Sequence, residues 1–206
     1  MSPNPNYKEI EELHADHKMR SRNIRNDNSY MHSVADRALH RPHYYFEKRV
    51  WACIRMQTAG LILDYGCGKG LQYTKWKHHE EFGVMPALYD PAVPEYEELP
   101  AGPFDGVYST DVMEHIPKEQ LPETFNDIFS RAEKFVFLAI CTKPAIATLP
   151  SGENAHCTVE PIGFWKTMVE KYAPKRVYTH IKTYGNCNNY SILNEDLYLE
   201  WYLSQL

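Results

Sequence analysis

Ten residues constrain this chain more than any others: Leu61-Ile62-Leu63-Asp64-Tyr65-Gly66-Cys67-Gly68-Lys69-Gly70. Three apolar residues suited to a buried strand end in an acid. Glycines at 66, 68 and 70 then turn the backbone sharply and leave it bare where a ligand can approach. This is a strand, loop and helix entry of the kind that holds a nucleotide-type cofactor, and it commits the chain to an α/β fold with a mostly parallel sheet. Three cofactor chemistries use such loops. A P-loop needs Ser or Thr after its Gly-Lys so that a hydroxyl reaches magnesium, and Gly70 stands there instead. A dinucleotide loop wants its third glycine at position 71, which is leucine; that reading is weakened but stays open.

The rest of the pattern alternates strands and helices. A crossover helix is expected from Leu71 through Tyr73, Trp76 and Lys77, then a strand over Val84–Tyr89 ending at Asp90. Such a unit implies a parallel pair, with the loop at the carboxyl ends of the strands, where open α/β sheets bind ligands. Only thirteen residues, rich in Pro and Glu, separate Asp90 from Phe104, so the third strand unit is expected to be shortened or missing. Phe104–Tyr108 reads as another buried strand. Lys118–Ala132 reads as a helix with Leu121, Phe125, Ile128 and Phe129 in one stripe, and Phe135–Ile140 as the central strand. A long loop follows from Cys141 to Thr158, then a helix over Pro161–Tyr172. Strands over Arg176–Lys182 and Tyr190–Leu199 are expected to close an antiparallel hairpin. Upstream, residues 1–32 are polar and read as an extension or lid, leaving 33–206 as one domain with a helix over Tyr45–Met56 against the sheet.

What remains for the loop is Asp64-x-Gly66-x-Gly68-x-Gly70. Asp90 stands at the end of the second strand, and Phe104-Asp105-Gly106-Val107 leads into Val112-Met113-Glu114-His115-Ile116-Pro117. Together these resemble the class I S-adenosylmethionine-dependent methyltransferases over about residues 45–200. The resemblance implies a Rossmann-like three-layer sandwich, a terminal antiparallel hairpin and S-adenosylmethionine as cofactor. It also implies site roles: Asp64 orients the methionine ammonium, Gly66, Cys67 and Gly68 form the loop against the cofactor, and Asp90 accepts the ribose hydroxyls. Asp111, just past the fourth-strand segment, falls near the methionine end. No residue is assigned to adenine, because the missing third unit is where that contact belongs.

A sulfonium is already an effective methylating group, so a base is needed only where the acceptor must lose a proton. His115 and His156 are the candidates, both on segments expected at the cofactor edge. The acceptor is expected to be a small molecule or a sugar-containing metabolite, methylated on oxygen or nitrogen. The stretch Ser109-Thr110-Asp111-Val112 lacks the Pro-Pro-aromatic signature of base amine methylation, and no Pro-Cys nucleophile is present. A net charge of −5 also disfavours nucleic acid, although residues 1–60 carry ten Lys/Arg against seven Asp/Glu. Five dispersed cysteines without a Cys-x-x-Cys pair point to free thiols. His32, His40 and His43 have no acid at ligand spacing, and no metal is expected. With no long apolar run or signal core, a cytoplasmic protein without membrane association is expected. Two other functions stay open on the same fold: cleavage of S-adenosylmethionine by a lyase or hydrolase, and non-catalytic binding.

Overall fold

The computed structural model describes residues 60–193 apart from 76, 147, 150–151 and 186–188. The expected extension at 1–32, the helix over Tyr45–Met56 and the histidines at 32, 40 and 43 lie outside the described residues. Strand β1 (Ile62–Tyr65) opens the first unit and is buried along its length. The crossover is two short helices, α1 (Leu71–Thr74) and α2 (His78–Phe82), not one continuous helix through Lys77. Two local features account for the break. Thr74 Oγ1 donates back to the Gly70 carbonyl at 3.2 Å, and Lys77 adopts a left-handed conformation with φ 57°. Strand β2 (Ala87–Tyr89) is shorter than the expected Val84–Tyr89, because Pro86 has no N–H to give to the ladder.

From Asp90 to Pro103 the chain makes turns and no strand, so the third unit is absent as expected. Strand β3 (Phe104–Thr110) is followed by a short 3-10 helix at Met113–His115. Helix α3 (Leu121–Arg131) then leads into strand β4 (Ala132–Cys141). Helix α4 (Ile162–Tyr172) connects to β5 (Tyr178–Tyr184), and β6 (Asn189–Leu193) comes last. The sheet order is β2-β1-β3-β4-β5-β6. The first five of these strands in that order pair in parallel, and β6 runs antiparallel to β5 with Lys182 opposite Tyr190. The part of the last expected strand beyond Leu193 lies outside the described residues.

Burial on both faces explains the long apolar run in β4. Val136, Leu138 and Ile140 point into one core with Leu121, Phe125, Ile128, Trp165 and Val169 from α3 and α4. The alternate residues Phe135, Phe137 and Ala139 point into a second core with Ile62, Tyr108, Tyr178 and Tyr73 of α1. No helix among the described residues is long and apolar enough to cross a membrane.

Candidate active site

Because β1 to β5 are parallel, their carboxyl ends share one edge, and the chemistry-bearing residues collect there. After β1 the chain folds back on β2: the Gly66 and Cys67 N–H groups donate to the Tyr89 carbonyl at 2.7 and 3.0 Å. The Gly68 N–H donates to Asp90 Oδ2 at 2.7 Å, and the Ala92 N–H to Asp90 Oδ1 at 2.9 Å. Each carboxylate oxygen of Asp90 thus keeps a lone pair for a hydroxyl donor. All three loop glycines have positive φ, but their surroundings differ. A Cβ on Gly66 would fall 2.2 Å from Val112 Cγ2, and one on Gly70 would crowd Tyr96 and Leu88, whereas one on Gly68 would meet nothing within 4 Å among the described residues. The backbone at Gly68 is therefore the open face of the loop.

Asp64, at the end of β1, is buried, and Gln72 Nε2 at 3.0 Å and the Tyr73 hydroxyl both donate to its Oδ2. The Tyr108 hydroxyl meets that of Tyr73 in turn. No cationic side chain pairs with Asp64 among the described residues. Burial pushes its pKa up to about 7 against the two hydrogen bonds, with a further push from the charge of Asp90. A buried carboxylate held by neutral donors suits an incoming ammonium. With the open backbone at Gly68 and the spare lone pairs on Asp90, it makes a cradle that fits S-adenosylmethionine. Cys67 is buried beside these acids, and desolvation pushes its thiol up.

A second group gathers past β3 and β4. Asp111 has φ 58°, and its N–H donates to the Ala139 carbonyl at 3.0 Å. Its side chain is exposed to solvent, and the protein atoms around it still exclude part of its hydration. Desolvation raises its pKa to about 6, opposed by the charges of His156 and Lys182. Glu114 is fully buried, and its Oε1 accepts the Cys141 N–H at 2.9 Å. Burial, reinforced by Asp111, lifts Glu114 to about 8. His115 Nδ1 lies 2.8 Å from the Ala155 carbonyl, and its ring meets His156 edge-on with centroids 4.6 Å apart. His156 Nδ1 lies 2.7 Å from the Lys143 carbonyl.

The expected site residues thus fall into two sets: Asp64, Gly66, Cys67, Gly68 and Asp90 around β1 and β2, and Asp111, His115 and His156 beyond β3. Val112, packed on Gly66, joins them. Sequence reasoning did not nominate Gln72 or Glu114, and it placed Tyr73 only on the crossover helix, where its hydroxyl holds Asp64. For Glu114 there was a signal: an acid between Val112, Met113 and Ile116 in a segment otherwise bound for the core. Residues 30–185 match a family described as a methyltransferase domain. No curated protein and no solved structure matches the chain.

Proposed function

The chain belongs to this methyltransferase-domain family, and from that premise we propose that it methylates an oxygen or nitrogen of a small-molecule or sugar-containing acceptor. It is an enzyme, and the family implies S-adenosylmethionine as the donor. That cofactor supplies a methyl group on a cationic sulfur, already activated for attack. The observation that carries the reading is the contact between Gly66 and Val112. It sets the cofactor cradle of Asp64, Gly68 and Asp90 directly beside the segment that bears Asp111, Glu114 and His115.

The division of work follows from the two sets. Asp64, oriented by Gln72 and Tyr73, takes the ammonium; Asp90 takes the ribose hydroxyls; the main chain at Gly68 allows close approach. On the acceptor side, a proton on His156 Nδ1 directed at the Lys143 carbonyl leaves Nε2 with a lone pair, able to take a proton from an acceptor hydroxyl or amine. His115, anchored to Ala155, supports that ring edge-on. A small acceptor is favoured by the net charge of −5, which gives no electrostatic footprint for nucleic acid.

Methyl-labelled S-adenosylmethionine incubated with pools of small hydroxyl and amine compounds tests this. The expected result is label in an acceptor together with an equal amount of S-adenosylhomocysteine. Cofactor breakdown at the same rate with no acceptor present would replace this reading with cleavage. Failure of a folded sample to bind cofactor or product would leave only a binding protein.

A further inference from the structure

One cluster at the acceptor end has a chemistry that transfer from a sulfonium does not itself require. Glu114, Cys141 and His156 each offer a ligand atom, and the three atoms lie within 4.8 Å of one another. They come from separate segments: the 3-10 helix after β3, the last residue of β4 and the long loop before α4. The main chain orients each of them. The Cys141 N–H holds Glu114 Oε1, and this leaves Oε2 of a fully buried side chain with no hydrogen-bond partner among the described residues. The Lys143 carbonyl beside His156 Nδ1 fixes the tautomer with its lone pair on Nε2, as carbonyls behind metal-bound imidazoles do. The His156 N–H donates to Asn154 Oδ1 at 2.9 Å, which also accepts the Ala145 N–H at 2.9 Å, so the ring stands on a braced backbone. The Cys141 thiol is buried, with Sγ 3.7 Å from the Lys143 carbonyl.

We propose that Glu114 Oε2, Cys141 Sγ and His156 Nε2 bind a divalent cation of the zinc class. A carboxylate, a thiolate and an imidazole form a borderline-soft set that zinc and cobalt accept and that magnesium and calcium, which prefer oxygen, do not. Ligand bonds of about 2.0–2.3 Å around a tetrahedral ion place neighbouring ligands roughly 3.3–3.7 Å apart, within reach of small side-chain rotations here. On binding, the Cys141 thiol gives its proton to solvent. Three protein ligands leave a fourth position for water or an acceptor oxygen. Only the role of the ion rests on the methyltransferase reading: it would hold and acidify a hydroxyl acceptor in place of the imidazole base.

The test is titration of the metal-free full chain with cobalt(II), read by absorption. One equivalent is expected to give thiolate-to-cobalt charge transfer in the near ultraviolet, bleached by added zinc. Cys141→Ser should abolish that band, and Glu114→Gln and His156→Ala should weaken cobalt binding about 100-fold or more. Glu114→Gln keeps an acceptor for the Cys141 N–H, and His156 lies in a loop, so both variants should stay folded by circular dichroism. Absence of the band, or a band unchanged in Cys141→Ser, overturns the proposal. Calorimetry with S-adenosylhomocysteine on the same samples separates the two readings. Product binding without a cobalt site sinks the metal inference alone; cobalt binding without product binding sinks the cofactor cradle alone.

Discussion

Asp64 carries the main electrostatic cost of the cradle, and that cost is measurable. Its folded-state pKa near 7 lies above the ordinary carboxylate value, because burial outweighs the bonds from Tyr73 and Gln72. The folded state therefore binds more protons than the unfolded state between about pH 4 and pH 7. Stability falls as pH rises through that window, and the penalty is complete above it. Thermal melts of the ligand-free protein should show this decline, and Asp64→Asn should flatten it while raising the melting temperature at about pH 8. The same substitution should weaken cofactor binding. In the unaltered protein, calorimetric affinity should be about tenfold lower at pH 6 than at pH 8, as the carboxylate becomes protonated. A pH-independent affinity would mean that Asp64 does not meet the ammonium. Gly106 is a different kind of constraint, since a Cβ there would stand 2.0 Å from the Phe135 ring. Gly106→Ala should cost at least the roughly 1–3 kcal/mol of overpacking, read as a lower urea midpoint.

At the scale of elements, the long loop from Cys141 to Thr158 is braced at both ends. Thr142 bonds the Tyr184 carbonyl through its N–H at 2.8 Å and its hydroxyl at 2.7 Å. Thr158 bonds the Glu114 carbonyl at 3.0 Å and the Ile116 carbonyl at 2.7 Å. Between them, Asn154 grips both the N–H and the carbonyl of Ala145 at 2.9 Å. Asn154→Ala should therefore speed hydrogen exchange over residues 145–156 and lower kcat/KM for the acceptor. Affinity for S-adenosylhomocysteine should stay within about twofold, because the cradle belongs to β1 and β2. Equal losses in both would show that the loop also covers the cofactor. The length of this loop and its place at the strand ends were legible in the sequence. Most of its bracing was not, because all the tethers but that of Asn154 to Ala145 join residues far apart in the chain: Thr142 and Tyr184, His115 and Ala155, Thr158 and Ile116. The same reason hid the pairing of Glu114 with Cys141, which only the neighbouring ends of β3 and β4 bring together.

Across the whole described molecule, the two ends of the parallel sheet differ in how well their charges are satisfied. At the amino ends, Asp105 accepts the N–H groups of Gly60 and Leu61 at 2.5 and 3.1 Å and pairs with Lys134 at 2.7 Å. These partners outweigh desolvation and hold its carboxyl below the usual range. At the carboxyl ends, Asp64, Asp111 and Glu114 are all raised by desolvation, and Asp111 sits at positive φ. The alternating pattern of apolar strands and helices made this polarity readable in advance, since parallel strands must put the glycine loop and the Val112–Pro117 segment on one edge. The breaks were not readable, because the left-handed turn at Lys77 leaves no mark in apolar periodicity. An edge left under-satisfied in this way should gain stability when its ligand arrives. At 100 times its dissociation constant, S-adenosylhomocysteine should add about 2.7 kcal/mol. For a chain of this size that corresponds to a rise in melting temperature of roughly 5–10 °C. Asp90→Ala should weaken binding by roughly 1–3 kcal/mol, the scale of lost charge-assisted hydrogen bonds, and so remove roughly a third to nine-tenths of that rise at the same ligand concentration. The increment is the readout and not the ligand-free melting temperature, because Asp90 also holds the N–H groups of Gly68 and Ala92 and its loss lowers the baseline. A full increment in Asp90→Ala would move the ribose contact elsewhere on the edge.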